Sequence, residues 1–312
     1  MEFGVHLPIL ALTDQDISLV RLVECAKAAE RLGYTTLCAN DHLTFSRPWL
    51  DSLTALAAVL PSTQQITLMT SVALPVARGP APLAKALAAL DLLSGGRVVA
   101  GVGPGSSAQD YALAGIPFEE RWPRFDEAIR LLRRLLSGRG LPFEGTYYRA
   151  DLAALEPLPV QESGVPIWIG SWGSEVALRR VARLSDGWLA SAYHVTPETF
   201  ADALSRLGDH LRAAGKEPSR FPHALGTMFM ELTDDRGRAA DSVRLLGAVL
   251  NRPVEHLRQR LLLGPPDECA ETLTRLQEAG VEKVFLWPIG DEVEQLERFQ
   301  EQIRPQLLGR RT

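Results

Sequence analysis

The stretch L-C-A-N-D-H-L, residues 37 to 43, sets the organisation of the whole chain. It continues a short apolar run, Tyr34 to Ala39, and turns abruptly polar at Asn40, Asp41 and His42. A buried strand that ends in a polar cluster is typical of parallel α/β proteins, which carry their chemistry at the carboxyl edge of the sheet. We therefore expect these three polar residues to lie at such an edge.

On both sides of this stretch, apolar runs of strand length alternate with segments of helical spacing. The alternation predicts eight strands, each followed by helix, and right-handed crossovers between parallel neighbours close such units into a (β/α)8 TIM barrel. Eight regular units over 312 residues favour this closed form over an open doubly wound sheet. The predicted strands are Phe3–Ile9, Tyr34–Ala39, Ile66–Leu74, Arg97–Val102, Ile167–Gly170, Asp186–Ser191, Ala224–Leu232 and Val284–Pro288.

The sequence predicts one α/β domain over residues 1–312, with insertions in two places. Residues 138–166 are rich in proline, glycine and tyrosine and predict a surface excursion that can hold one hairpin. After the seventh strand, two helices are predicted at Arg236–Leu250 and Val254–Leu262, which is more than a simple crossover needs.

Composition excludes several classes of function. The net charge is −5, so the chain has no electrostatic footprint for nucleic acid. Cys25, Cys38 and Cys269 are scattered, which indicates a reducing cytoplasm and neither a disulfide framework nor a zinc site. No signal peptide and no apolar run long enough to span a bilayer is visible. We expect a cytoplasmic protein without a membrane or nucleic-acid partner.

His42 is the strongest candidate for proton chemistry. It is the only histidine directly beside a carboxylate residue at a predicted strand end, and imidazole can carry a proton near neutral pH. The alternative is a polar loop residue that caps the next segment, and the pattern alone leaves both open. Asp41 favours a structural role as an acceptor for backbone N–H groups. No further ligand completes a metal site around this pair, so we expect none.

Two other strand ends contain candidate binding segments. Gly101-x-Gly103-x-Gly105 matches a dinucleotide fingerprint poorly, but glycine lets backbone approach a flat or anionic ligand closely. Residues 167–174, I-W-I-G-S-W-G-S, place small residues and hydroxyls between a strand and a helix, which is typical of a phosphate site. The alternative for the second segment is a plain helix cap by Ser171 or Ser174.

Taken together, five motifs resemble the bacterial luciferase-like superfamily of flavin- and deazaflavin-dependent oxidoreductases. The resemblance covers nearly the whole chain, and the motifs are specific in combination. They are A-N-D-H-L at 39–43, T-S-V-A-L-P at 70–75, L-L-S-G-G-R at 92–97 with G-V-G at 101–103, G-I-P-F-E-E-R at 115–121, and P-I-W-I-G-S at 166–171.

The resemblance implies a barrel, usually a homodimer, that binds FMN or the deazaflavin F420 and acts on a small organic substrate. It assigns His42 to proton transfer beside the cofactor ring, a non-proline cis peptide to Ser71-Val72, the cofactor phosphate to residues 170–174, and a mobile lid to about residues 232–264. The residues expected around the cofactor are Asp41, Thr70, Ser71, Val72, Gly103, Gly105, Ser106, Gly170, Ser171, Trp172, Gly173 and Ser174.

One position departs from the family pattern. F420-dependent sugar-phosphate dehydrogenases carry a glutamate where this chain has Ser106, which argues against that particular chemistry. The first expectation is therefore a luciferase-like FMN monooxygenase or oxidoreductase, with a separate flavin reductase as a possible partner. The second is an F420-dependent enzyme that transfers hydride directly, and the third is a flavin-binding barrel without turnover.

Overall fold

Apolar, β-branched runs form the strands of the computed structural model, which describes residues 1–12, 17–151 and 155–308. Each barrel strand is buried on both faces, which is why its sequence is apolar rather than alternating. The strands are β1 Glu2–His6, β2 Thr36–Ala39, β3 Thr67–Ala73, β4 Val98–Val102, β5 Phe143–Glu144, β6 Arg149–Ala150, β7 Ile167–Gly170, β8 Gly187–Ser191, β9 His223–Leu232, β10 Leu262–Gly264 and β11 Lys283–Pro288.

Within the described residues, eight parallel strands close a barrel in the order β1, β2, β3, β4, β7, β8, β9, β11 and back to β1. This confirms the predicted (β/α)8 fold. The short strands β5 and β6 form an antiparallel hairpin inside the predicted excursion at 138–166. The added strand β10 pairs with the upper end of β9, outside the ring.

Helices follow the barrel strands, as their apolar spacing predicts. Ser18 caps the first helix by accepting from the Arg21 N–H, and Thr196 forms a capping box with Thr199. The helices are α1 Leu19–Arg31, α2 Ser52–Val59, α3 Pro75–Arg78, α4 Pro80–Ser94, α5 Ala108–Leu113, α6 Arg121–Ser137, α7 Glu175–Leu184, α8 Pro197–Ala213, α9 Arg236–Leu250, α10 Val254–Arg258, α11 Pro266–Glu278, α12 Glu292–Arg298 and α13 Arg304–Leu308.

Two boundary predictions were wrong. Strand β1 ends at His6 rather than Ile9, because Pro8 has no N–H to donate to the ladder. Helix α10 ends at Arg258, and the predicted helical end at Leu262 is instead part of β10.

The inside of the barrel is filled. Its core contains Cys38, Met69, Trp168, Leu189, Ala224 and Phe285, which form a cluster separate from the larger core between strands and helices. Gly187 makes room for the Trp168 ring, because a Cβ there would lie 2.4 Å from it. A ligand must therefore bind above this core, at the carboxyl ends of the strands. None of the helices in the described ranges has the length and apolarity needed to cross a bilayer.

Candidate active site

A cavity of about 460 Å³ opens at the carboxyl ends of the barrel strands. Its wall is formed by residues of β3, β7, β8 and β9 and by the segments that follow β2, β4 and β7, so the strand ends singled out in the sequence meet at one place. Most of the predicted site residues line it, namely Asp41, His42, Ser71, Val72, Gly103, Gly105, Ser106, Gly170, Ser171, Trp172 and Ser174.

Two predicted residues lie outside the cavity wall. Thr70 is fully buried, and its hydroxyl donates to the Gly101 carbonyl at 2.8 Å, which ties β3 to β4. Gly173 is buried against Ala203 with a φ of +84°, and its carbonyl accepts from Arg206. Both residues support the wall rather than form it, so a direct cofactor contact by Thr70 or Gly173 stays a prediction.

His42 sits at the cavity wall with a carboxylate partner that the sequence did not reveal. Its Nδ1 lies 2.8 Å from Oδ2 of Asp110, and the Asp110 side chain is almost completely buried. Oδ1 of Asp110 accepts from the backbone N–H groups of Leu43 and Thr44 at 3.0 and 2.9 Å. Because a carboxylate accepts, Nδ1 carries the proton and Nε2 is left as the basic nitrogen. The pair can therefore orient His42 as a proton acceptor.

Asp41 is engaged by the protein itself. Its Oδ1 accepts from Ser52 Oγ at 2.7 Å and from Arg78 Nη2 at 2.6 Å. Its Oδ2 accepts from Arg78 Nε and from the Leu74 N–H. The same guanidinium also contacts Asp51. Asp41 thus acts as the acceptor for a backbone N–H that we expected, and its role as a ring contact stays a prediction.

The end of β3 contains the non-proline cis peptide expected at Ser71-Val72. The pairing of β3 with β4 shifts register between Thr70 and Ala73, as a bulged strand end requires. The Val72 side chain lies between Gly103 and Gly170, where an added Cβ would approach it to 2.8 and 2.9 Å. Both glycines line the cavity and also make room for Val72, and their contact with a ligand stays a prediction.

The start of α7 fits an anion better than a plain cap. Ser174 occupies the N-cap position, yet no described side chain caps this helix. The Ser171 hydroxyl accepts instead from Trp188 Nε1 at 3.0 Å. Arg121 also lines the cavity, with its guanidinium 4.0 Å from the Phe118 ring centroid, and no described carboxylate forms an ion pair with it. Free N–H groups and a cation therefore face the same cavity.

The wall formed by β8 and β9 contains residues that the sequence gave no reason to select. Thr227 lines the cavity in a left-handed conformation, φ 56°, which is uncommon for a residue that is not glycine. Its N–H donates to Nε2 of His6, and its hydroxyl to the Gly226 carbonyl. Ser191 and Tyr193 complete this side of the wall.

Two histidines near this wall are held neutral. Complete burial lowers the pKa of His6 to about 3, and its ring stacks on Trp287 at 4.6 Å. Burial, followed by the nearby charges of Arg252, His256 and Arg260, lowers the pKa of His194 to about 4.

Comparison with known proteins identifies a family that this chain matches. The family model described as luciferase-like monooxygenase matches residues 1–244. An F420-dependent glucose-6-phosphate dehydrogenase of Nakamurella multipartita is 31% identical over 319 residues, which cover 92% of each chain. An F420-dependent hydroxymycolic acid dehydrogenase of Mycobacterium tuberculosis is 32% identical over 256 residues, which cover 78% of this chain and 68% of that protein.

Solved structures with low sequence identity share the fold. An F420-dependent secondary alcohol dehydrogenase, in complex with an F420-acetone adduct, superposes with a TM-score of 0.86 at 20% identity, over 98% of both chains. The monooxygenase RslO1 from Streptomyces bottropensis superposes with a TM-score of 0.84 at 22% identity, over 98% of this chain and 99% of that one. These two likenesses confirm the architecture and carry no further argument.

Proposed function

The chain belongs to the luciferase-like monooxygenase family and is an oxidoreductase, and we propose that it uses F420 to transfer a hydride to or from a small organic substrate. The two relatives described above, which are 31% and 32% identical to this chain, are both F420-dependent dehydrogenases, and this supports F420 over FMN. The proposal reverses the order of the two cofactors expected from the sequence. Because the chain is an oxidoreductase, the third expectation, a flavin-binding barrel without turnover, is not supported.

The cavity has the properties that a deazaflavin needs. Its volume lies in the range of ordinary cofactor sites, and its wall is mostly apolar with a few polar groups. Oδ1 of Asn40 is buried at this wall and has no hydrogen-bond partner in the described parts of the chain. A buried acceptor without a partner is costly, and an N–H of a bound ring would satisfy it. When bound, F420 supplies the hydride chemistry, and the protein supplies orientation and proton transfer.

The single observation that carries the proposal is the His42–Asp110 pair at the cavity wall. Oxidation of an alcohol releases a proton together with the hydride, and carbonyl reduction consumes one. His42, held by Asp110 in the tautomer with a basic Nε2, is placed to take or return that proton. Asp110 thus places a carboxylate behind His42, although this chain has Ser106 where F420-dependent sugar-phosphate dehydrogenases carry a glutamate.

For the cofactor phosphate we propose the loop at residues 170–174 together with the first turn of α7. The helix start is not capped by a side chain, and Arg121 supplies a positive charge at the same cavity. Phosphate is stabilised at such a position by N–H groups and the helix dipole.

Binding and turnover test the proposal together. Fluorescence titration of the protein with F420 and absorbance titration with FMN should give at least ~10-fold tighter binding of F420. F420 reduction or oxidation should then be followed with a panel of small alcohols, aldehydes and imines. FMN binding with no F420 binding would reject the proposal.

A matched pair of variants tests the role of His42. His42→Gln should lower turnover by ~10²-fold or more, with the F420 dissociation constant changed by less than ~3-fold. His210→Gln is the control, since His210 has the same 21% side-chain exposure and contacts Glu175 at 2.7 Å, but does not line the cavity. Equal turnover in the two variants would remove His42 from the mechanism.

A further inference from the structure

Four cationic or titratable basic side chains lie together beside the cavity, next to the ends of β8 and α9. They are His194, Arg252, His256 and Arg260, and we call them the rim cluster. Arg252 Nη2 donates to His194 Nε2 at 3.1 Å, and His256 Nε2 donates to the Tyr193 carbonyl at 2.7 Å. Arg260 Nη1 donates to the His256 carbonyl at 2.9 Å. The cluster is therefore held in place by the protein.

The rim cluster has no counter-charge. Within residues 1–12, 17–151 and 155–308, no carboxylate forms an ion pair with Arg252 or Arg260. After burial, the groups that lower the pKa of His194 are the basic side chains of Arg252, His256 and Arg260. Arg78, in contrast, is a largely buried arginine that is paired with Asp41. This region thus combines burial with positive charge that the protein does not neutralise.

Both arginines also have an unused donor. The Nε atoms of Arg252 and Arg260 are buried, and neither has a hydrogen-bond partner in the described parts of the chain. A buried charged donor without an acceptor is unfavourable, since it has lost water and gained nothing in return. Two such donors in one cluster indicate an acceptor that comes from outside the protein.

The rim cluster is continuous with the cavity. The His194 ring stacks on Trp172 at a centroid distance of 3.9 Å and an angle of 15°, and Trp172 lines the cavity. Ser191, whose hydroxyl lies 3.1 Å from His194 Nδ1, and Tyr193 also line it. A ligand in the cavity can therefore reach the cluster past the Trp172–His194 stack.

We propose that the rim cluster is an oxyanion site, which binds a phosphate or carboxylate at the end of a ligand whose body lies in the cavity. The planar guanidinium groups of Arg252 and Arg260 suit these anions, because each offers parallel N–H donors that match two oxygens. His194 is a positioning residue, since its Nε2 accepts from Arg252 and its Nδ1 donates to Ser191.

The anionic group has two possible sources. It belongs either to the substrate or to the acidic tail of the F420 cofactor. Assigning it to one of these rests on the proposed function, whereas oxyanion binding by the cluster does not. The first measurement therefore uses inorganic phosphate and protein without cofactor.

Isothermal titration calorimetry with sodium phosphate, at ionic strength held constant with chloride, tests the site directly. We expect saturable binding to the wild-type protein, weakened at least ~10-fold in Arg252→Gln/Arg260→Gln. Arg258→Gln is the matched control, because Arg258 is an exposed arginine that lies between Arg252 and Arg260 in the chain, and phosphate affinity should change by less than ~2-fold in this variant. Absence of saturable binding, or equal weakening in the control, would overturn the proposal.

A second pair of variants separates binding from folding. Arg252→Lys and Arg260→Lys keep the charge but lose the planar fork, so phosphate should bind ~3- to 10-fold more weakly while circular dichroism and thermal unfolding match the wild type. Unchanged phosphate affinity in both lysine variants would contradict the assigned role of the guanidinium groups.

Repeating the titration with saturating F420 identifies the source. Phosphate that still binds assigns the site to the substrate, and phosphate that is excluded assigns it to the cofactor tail. If F420 does not bind at all, the proposed function fails, but the cofactor-free titration still decides whether the rim cluster binds an oxyanion.

Discussion

The two sides of the cavity mouth differ in how their charges are balanced. On the β2–β4 side, Asp41 is paired with Arg78 and His42 with Asp110, at distances of 2.6 and 2.8 Å. On the β8–β9 side, the rim cluster brings basic groups together without a carboxylate among the described residues. On the paired side, the charges are neutralised without a ligand, and the pairs fix a proton-carrying group in position. On the unbalanced side, only a ligand of opposite charge would neutralise the basic groups.

Breaking the Asp41–Arg78 pair should have the largest effect. Asp41→Asn removes the charge that neutralises a largely buried guanidinium and should lower the free energy of unfolding by ~3–5 kcal/mol. Asp51→Asn is the control, because its carboxylate contacts the same arginine but is 39% exposed, and asparagine can still cap α2. We expect that variant to lose less than ~1 kcal/mol.

Urea denaturation of both variants measures this difference. Similar losses would mean that the Asp41 pair contributes no more than a surface ion pair, and the contrast between the two sides would disappear. The pKa of the Arg78 guanidinium is raised by its hydrogen bonds and charge interactions with Asp41 and Asp51, which outweigh its burial. Arg78 therefore stays charged in either variant at ordinary pH.

The second prediction concerns Asp110, the other carboxylate of the paired side. Asp110→Asn keeps the shape but can present an N–H to His42, which favours the wrong tautomer. We expect kcat to fall ~10- to 100-fold, or ~1.4–2.7 kcal/mol, while KM and the F420 dissociation constant stay within ~3-fold. Asp110→Glu restores the acceptor and should recover part of the loss.

This split distinguishes positioning from general damage to the fold. A variant that only loosened the loop after β2 would raise KM and weaken cofactor binding as well, and glutamate would not rescue it. Such a result would mean that Asp110 only holds the loop after β2 in place, by accepting from the Leu43 and Thr44 N–H groups.

The fold and the paired side illustrate what the sequence could predict. The polar end of β2 and the loop before α7 are local patterns, and local patterns indicate where strands end. The cis peptide at Ser71-Val72 came from the family resemblance and was found. Strand β10 was missed because the upper edge of β9, beyond its pairing with β8, recruits it through tertiary contact rather than local preference.

The groups missed at the site are those whose roles depend on distant pairing. Asp110 lies 68 residues from His42 along the chain, and Arg252 lies 58 residues from His194. No spacing rule joins residues that far apart. Nor does any local signal show that Thr227 adopts a left-handed conformation, since threonine there is an exception to backbone preference. The sequence thus located the part of the wall that follows β2, β4 and β7, but neither the β8–β9 part nor the charge balance of the cavity.

The smallest expected effect is a pH response of the unbalanced side. The pKa of His194 is lowered from 6.5 to about 4 by burial and by Arg252, His256 and Arg260, so in the folded protein it stays neutral where the unfolded chain takes up a proton. Stability is therefore lost as pH falls from 6.5 towards 4, and this histidine contributes ~1 kcal/mol of the loss at pH 5. The difference between the unfolding free energies at pH 5 and pH 8 should therefore be smaller by that amount in His194→Gln than in the wild type. Because a bound anion would offset the positive neighbours of His194, added phosphate should reduce the acid sensitivity of the wild type but not of His194→Gln. An equal phosphate effect in both proteins would show that the anion does not act through the charge state of His194.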